Sequence, residues 1–173
     1  MTAPDVTDLL AGMDPAHLAQ AEAIADEMAS ISGEVARASR ERFAAMFPAV
    51  VARLAGEGAV QEALASGGFA VEGRTVVVRL HQESEHIEYF CDVGLPEPHA
   101  LQETYRTLLE MNLCRTYPGI TFGVHPASGR VVATLAVHDV LVAGEEACIA
   151  TVQMLMQMVA LLLEARTLAL VPE

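Results

Sequence analysis

The apolar residues of this sequence change their spacing four times. From Leu18 to Leu54 they recur every three or four positions, as on one face of a helix. From Phe69 to Val93 they recur every second position, as on one face of a strand. The helical spacing returns at Leu101, the strand spacing at Ile120, and the helical spacing once more beyond Gly144. Half-apolar strands joined by short turns make an antiparallel sheet with one face to cover, and the helices supply the cover.

The elements follow from this pattern and its punctuation. Asp14-Pro15 predicts a helix start, with Asp as N-cap and Pro at the first helical position. Leu18, Ala21, Ile24, Ala25, Met28, Ile31 and Val35 form one stripe, with Glu22, Asp26, Glu27 and Glu34 away from it. Gly33 is a candidate interruption. A second helical pattern carries Phe43, Met46, Phe47, Val50 and Leu54 on one face, and Pro48 inside it predicts a kink or a restart. Gly56 and Gly58 end that run.

A three-strand meander is predicted next. Phe69 to Val71 meets a turn at Glu72-Gly73. Val76, Val78 and Leu80 share one face of the second strand, with Val77, Arg79 and His81 on the other. A polar turn over residues 82–85 leads to Ile87, Tyr89, Cys91 and Val93, alternating with Glu88, Phe90 and Asp92. Pro96 and Pro98 introduce a helix with Leu101, Tyr105, Leu108 and Asn112 on one face and Leu109 at its edge. Two more strands carry Ile120, Phe122 and Val124, then Val131, Ala133, Leu135 and Val137. A last helix runs from about Gly144 to Leu168. The expected fold is therefore α+β: a mostly antiparallel five-stranded sheet with helices packed against it, in the order (α)-α-β-β-β-α-β-β-α.

Charge and motifs narrow the function. The chain of 173 residues carries a net charge of -13, which disfavours nucleic acid and anionic membrane surfaces as partners. The start, MTAPDVTDLL, has no basic n-region, and three scattered cysteines make no framework, so a reducing cytoplasm is expected. Ala147 to Leu163 is almost wholly apolar but short for a span, and Glu146, Gln153, Gln157 and Glu164 give it one wet edge, as in a core helix. His17, His81, His86, His99, His125 and His138 form no metal-ligand spacing. Cys91 shares its strand face with Tyr89 and Val93, as a buried core thiol would. Glu145-Glu146 complements a helix N-terminus. No catalytic residue, metal or cofactor is expected. Asn112, polar on an apolar face, reads either as a helix C-cap or as a register contact at a helix–helix interface.

The run LLEMNL (Leu108 to Leu113), a short break, and ITFGVHPASGRVVATLAV (Ile120 to Val137) resemble the second half of the class I type III secretion chaperones, the Tir-chaperone family. That family commonly shows a Leu-Leu-Glu-x-Asn-Leu helix end, a Thr-x-Gly-hydrophobic strand, a Ser-Gly turn and a Val-rich strand. The element order from about residue 43, the low pI and the small size agree, and the resemblance covers roughly residues 43–168. It implies a chaperone domain over residues 43–173, preceded by a tail and an extra amphipathic helix over residues 1–42. It further implies a homodimer in the bacterial cytoplasm, without enzymatic activity, that binds the N-terminal region of a secreted effector and keeps it export-competent. The alternative is a regulatory or structural protein of the same secretion system that binds a gatekeeper or a regulator. Carried over by position, the dimer contact would use Leu101, Tyr105, Leu108, Asn112 and Phe122. The effector groove would use Phe47, Val51, Leu54, Val76, Val78 and Leu80. The extra helix departs from the family pattern: its stripe would pack on its own domain, fill the groove in cis, or meet another component.

Overall fold

The computed structural model describes residues 14–81, 86–137 and 144–171. The polar tail, the turn over residues 82–85 and His138 lie outside these residues. The elements are α1 (Pro15–Ala55), α2 (Val60–Ser66), β1 (Gly68–Val71), β2 (Arg74–Leu80), β3 (Ile87–Gly94), α3 (Leu101–Cys114), β4 (Ile120–Val124), β5 (Val131–Val137) and α4 (Glu145–Glu164). The α+β class and the element order are as expected from the sequence. The chain divides into two compact units, one ending at Ala38 and the other beginning at Ser39.

In the first unit, Asp14 caps α1 as its sequence position predicts. Its Oδ1 accepts the Ala16 N–H at 3.2 Å, and its carbonyl accepts the N–H groups of His17 and Leu18 at 2.9 and 3.1 Å. Gly33 does not interrupt the helix. A mid-helix glycine costs about 1 kcal/mol, which a long hydrogen-bonded helix tolerates. Ile24, Met28 and Ile31 are 50%, 66% and 54% exposed.

In the second unit, α1 passes through Pro48 without a break. A helix-interior proline costs about 3 kcal/mol. The buried Phe47, Val50 and Val51 on either side of it supply the offsetting core contacts. The residues after Gly58, which carried no helical expectation, form α2. Gly67 ends it at φ 74, its N–H donating to the Ala63 carbonyl at 2.7 Å.

The strands form one antiparallel sheet in the order β1-β2-β3-β5-β4. Burial alternates along β2 and β3 as the two-residue spacing requires. Val76, Val78, Ile87, Tyr89, Cys91 and Val93 face the core, while Val77, Arg79, Glu88, Phe90 and Asp92 face the other side. α4 packs on β3 and β5, and α3 packs on β4. Among the described residues α4 is the helix long and apolar enough to cross a bilayer. Here it covers the sheet, with Cys148, Ile149, Val152, Leu155, Met156, Val159 and Leu162 buried. Its first turn is tied to α1 by Arg53, whose guanidinium donates to Glu145 at 3.3 Å and to Glu146.

α4 ends at Glu164, short of the expected Leu168. The chain turns at Arg166, φ 49, and sends Leu170 back to bridge Pro96. That return needs Gly94, which has φ 143; a Cβ there would meet Leu170 Cδ1 at 3.1 Å.

Candidate functional site

Among the described residues, the buried thiols Cys91 and Cys148 pack with other core side chains. Cys91 is fully buried, and its Sγ lies 3.5 Å from Met156 Sδ. Burial pushes its thiol up to about 12, so it is not a ready nucleophile at neutral pH. Tyr89 donates to Cys148 Sγ at 3.1 Å, and burial raises both groups. His81 and His86 do meet across the hairpin, their rings stacked at 5.0 Å. Among the described residues no three His, Cys, Asp or Glu side chains converge on a metal-sized point.

Apolar surface is the more informative feature. β1 pairs only with Arg74–Val77 of β2, so the second half of β2, which pairs with β3 on one side, has no strand on its other side among the described residues. The His81 N–H donates to the His86 carbonyl at 2.9 Å, so His81 points toward β3, and by alternation the backbone of Leu80 points the other way. The Val78 N–H on that edge is taken by the Gly67 carbonyl at 3.1 Å. Leu80 therefore offers an N–H and a C=O to a passing chain. Against this edge lies a cavity of about 340 Å³, lined by Phe43, Phe47, Leu64, Val78 and Leu80. Phe43 stacks on Phe47 at 5.3 Å, and Leu64 is 50% exposed. An extended segment fits such a place: main-chain bonds to the edge, and an apolar side chain in the pocket.

The residues expected to form the groove divide around this cavity. Phe47, Val78 and Leu80 line it. Val51 and Val76 are at 0% exposure, packed inside the core where the sheet meets α1, so they present no surface to a ligand. Leu54 is half-buried against the core. Phe43 and Leu64 were missed. Phe43 stood on the right helical stripe. Leu64 lies on the seven-residue α2, too short to show a period, though Gly67 marked its end.

The expected dimer residues divide in the same way. Leu108 and Phe122 are buried in the chain's own core, which removes them from any contact surface. Asn112 is neither a side-chain cap nor a free interface group. Its carboxamide is bound to the Phe122 backbone by two hydrogen bonds of 2.8 Å. Leu101 and Tyr105 are exposed, and they continue into Leu109 and Leu113, at 69% and 84%. These four, each four residues from the next, form an i±4 ridge along α3. Leu113 was missed and Leu109 stood only at the edge of the expected face; the four-residue repeat from Leu101 was the available signal.

The outer face of the sheet carries a third, wider depression of about 640 Å³ with Val77, Phe90 and Val132 on its floor. Its charged groups are already paired. Arg79 lies over the Phe90 ring at 4.6 Å and bonds Glu88 at 2.6 Å, and Arg130 bonds Asp92 at 2.6 Å. Burial works to raise the Glu88 carboxyl, but Arg79 and the nearby histidines hold it below its ordinary value.

Compared with known proteins, the chain matches no family model and no curated protein.

Proposed function

We propose that this protein is a homodimeric binding module of the bacterial cytoplasm: a type III secretion chaperone that holds the N-terminal segment of an effector in extended form. The observation that carries this reading is the edge of β2 at Leu80, open on the side away from β3 among the described residues, beside the apolar cavity of Phe43, Phe47 and Leu64. An extended, export-competent segment has unpaired backbone groups and exposed apolar side chains, and this edge offers partners for both. The resemblance of LLEMNL and ITFGVHPASGRVVATLAV to the Tir-chaperone family supports the assignment. The ridge of Leu101, Tyr105, Leu109 and Leu113 supports the homodimer, because an exposed apolar row of this length on one helix is suited to burial against its own copy.

The test is affinity capture from the source bacterium under secretion-inducing conditions, with wild type and Leu64→Asp compared. The reading predicts a stoichiometric partner bound through its N-terminal region by wild type and lost with Leu64→Asp. Recovery of regulators or apparatus components instead would favour a regulatory role; capture that Leu64→Asp leaves unchanged would reject the groove.

A further inference from the structure

A cavity of about 710 Å³ lies where the start of β2 and the end of β3 meet α3 and the tail that follows α4. Its lining includes Arg74, Glu97, Glu103, Thr104 and Arg166. The tail is fixed in place: the Glu97 N–H donates to the Ala169 carbonyl at 3.0 Å, and the Val171 N–H to the Leu95 carbonyl at 2.8 Å. The cavity is thus preformed, and its volume falls within the range of about 300–1,000 Å³ usual for small-molecule sites. It shares no lining residue with the cavity beside Leu80.

Three side chains on its walls have hydrogen-bonding capacity left over. Arg53, Arg79, Arg106 and Arg130 each bond a carboxylate, whereas among the described residues Arg74 and Arg166 bond none. Arg74 is half-buried and donates to the backbone carbonyls of Asp92 and Val93, at 3.4 and 3.1 Å. A half-buried guanidinium held by neutral carbonyls still lacks a counter-charge, which a ligand carboxylate would supply. Thr104 is 2% exposed, and its hydroxyl has no hydrogen-bond partner. Thr151 on α4 donates its hydroxyl to the carbonyl four residues back, at 2.7 Å; Thr104 does not.

The same walls carry Glu103 and Glu97, the latter 3.2 Å from the exposed His99 ring. With these carboxylates nearby and a net charge of -13, a bare anion is repelled. A ligand with one carboxylate and one ammonium has no net charge to repel and offers a partner to each sign. Leu163 and Leu170, both half-buried, and the exposed Val171 give its body apolar surface. We infer that this cavity binds a free α-amino acid with an apolar side chain, its carboxylate toward Arg74, Arg166 and Thr104 and its ammonium toward Glu97 and Glu103. The inference does not rest on the proposed chaperone function.

The test is an NMR titration of the full chain with L-leucine, and with isocaproate and isoamylamine, which are leucine without its ammonium and without its carboxylate. Leucine is expected to shift the amides of Gly94, Thr104 and Thr167, and each analogue to bind more weakly by about tenfold or more. Arg166 stands at φ 49, which asparagine tolerates, so Arg166→Asn removes the charge and keeps the turn. It is expected to weaken leucine binding about tenfold. Arg106→Asn removes a charge already engaged with Glu110 and is expected to leave binding unchanged. Thr104→Val removes the unpartnered hydroxyl; it is expected to raise the urea midpoint of the free protein and to weaken leucine binding. No shift at about 10 mM leucine, isocaproate binding as tight as that of leucine, or leucine binding that both Arg166→Asn and Thr104→Val leave unchanged would each overturn the inference.

Discussion

Asn112 holds Phe122 as a neighbouring strand would. Its Oδ1 accepts the Phe122 N–H and its Nδ2 donates to the Phe122 carbonyl, both at 2.8 Å. β4 is the outermost strand on its side of the sheet. The carboxamide therefore occupies the backbone position most open to edge-to-edge pairing, and it fixes α3 to β4 at the same time. The pair ties the run Leu108 to Leu113 to the run Ile120 to Val137.

Removing that clamp leaves two partly buried backbone groups without partners. Asn112→Leu is expected to lower unfolding stability by about 1–3 kcal/mol in a denaturant titration. Asn112→Asp keeps the acceptor but sets a carboxylate against the Phe122 carbonyl, so at neutral pH it should restore little. A loss below about 0.5 kcal/mol for Asn112→Leu would show that water replaces the amide without cost.

The α3 ridge predicts how self-association responds to charge. Leu109 is 69% exposed, so Leu109→Asp should leave the fold intact and reduce the solution mass contributed by the α3 contact. Leu108 is 4% exposed, so Leu108→Asp buries a charge and should unfold the second unit instead. Light scattering and circular dichroism on the two variants separate these effects. Unchanged association by Leu109→Asp would remove the ridge as an interface.

Stability should fall in alkali. Folding raises the Cys91 thiol from 9.0 to about 12, so the folded state holds that proton more tightly than the unfolded state. The stability this confers is complete below pH 9 and is lost as pH rises through about 12. Cys148 and Tyr89, also raised by burial, act in the same direction. Urea midpoints should decline steadily from pH 9 upward, with a slope of at most about 1.4 kcal/mol per pH unit from Cys91. Below pH 9, thiol reagents should modify the exposed Cys114 and spare the other two. A flat stability profile in alkali, or rapid labelling of Cys91, would contradict the buried sulfur cluster.

Much of the fold was legible because strand spacing reports a face directly. The alternation Ile87, Tyr89, Cys91, Val93 marks one side of β3, and each of those residues is buried. Helix ends were less legible. Pro48 and Gly33 carry local breaking tendencies that a continuous helix overrides, and the apolar run beyond Glu164 turns back to the sheet rather than extending α4. The candidate site was legible only in part. A sequence period says which face a residue occupies, not whether another element covers it. Val76 and Leu80 share one face of β2, yet Val76 lies in the core and Leu80 lines the open cavity. The Asn112 partner lies ten residues away on an edge strand, and no local pattern points to it.

The most direct measurement is amide hydrogen exchange on the free protein and on its complex with the captured partner. If an extended segment adds to β2, the Leu80 amide exchanges more slowly in the complex, together with residues around Phe43 and Leu64. An unchanged Leu80 amide, with new protection confined to the outer sheet face or to α3, would contradict the edge-docking account.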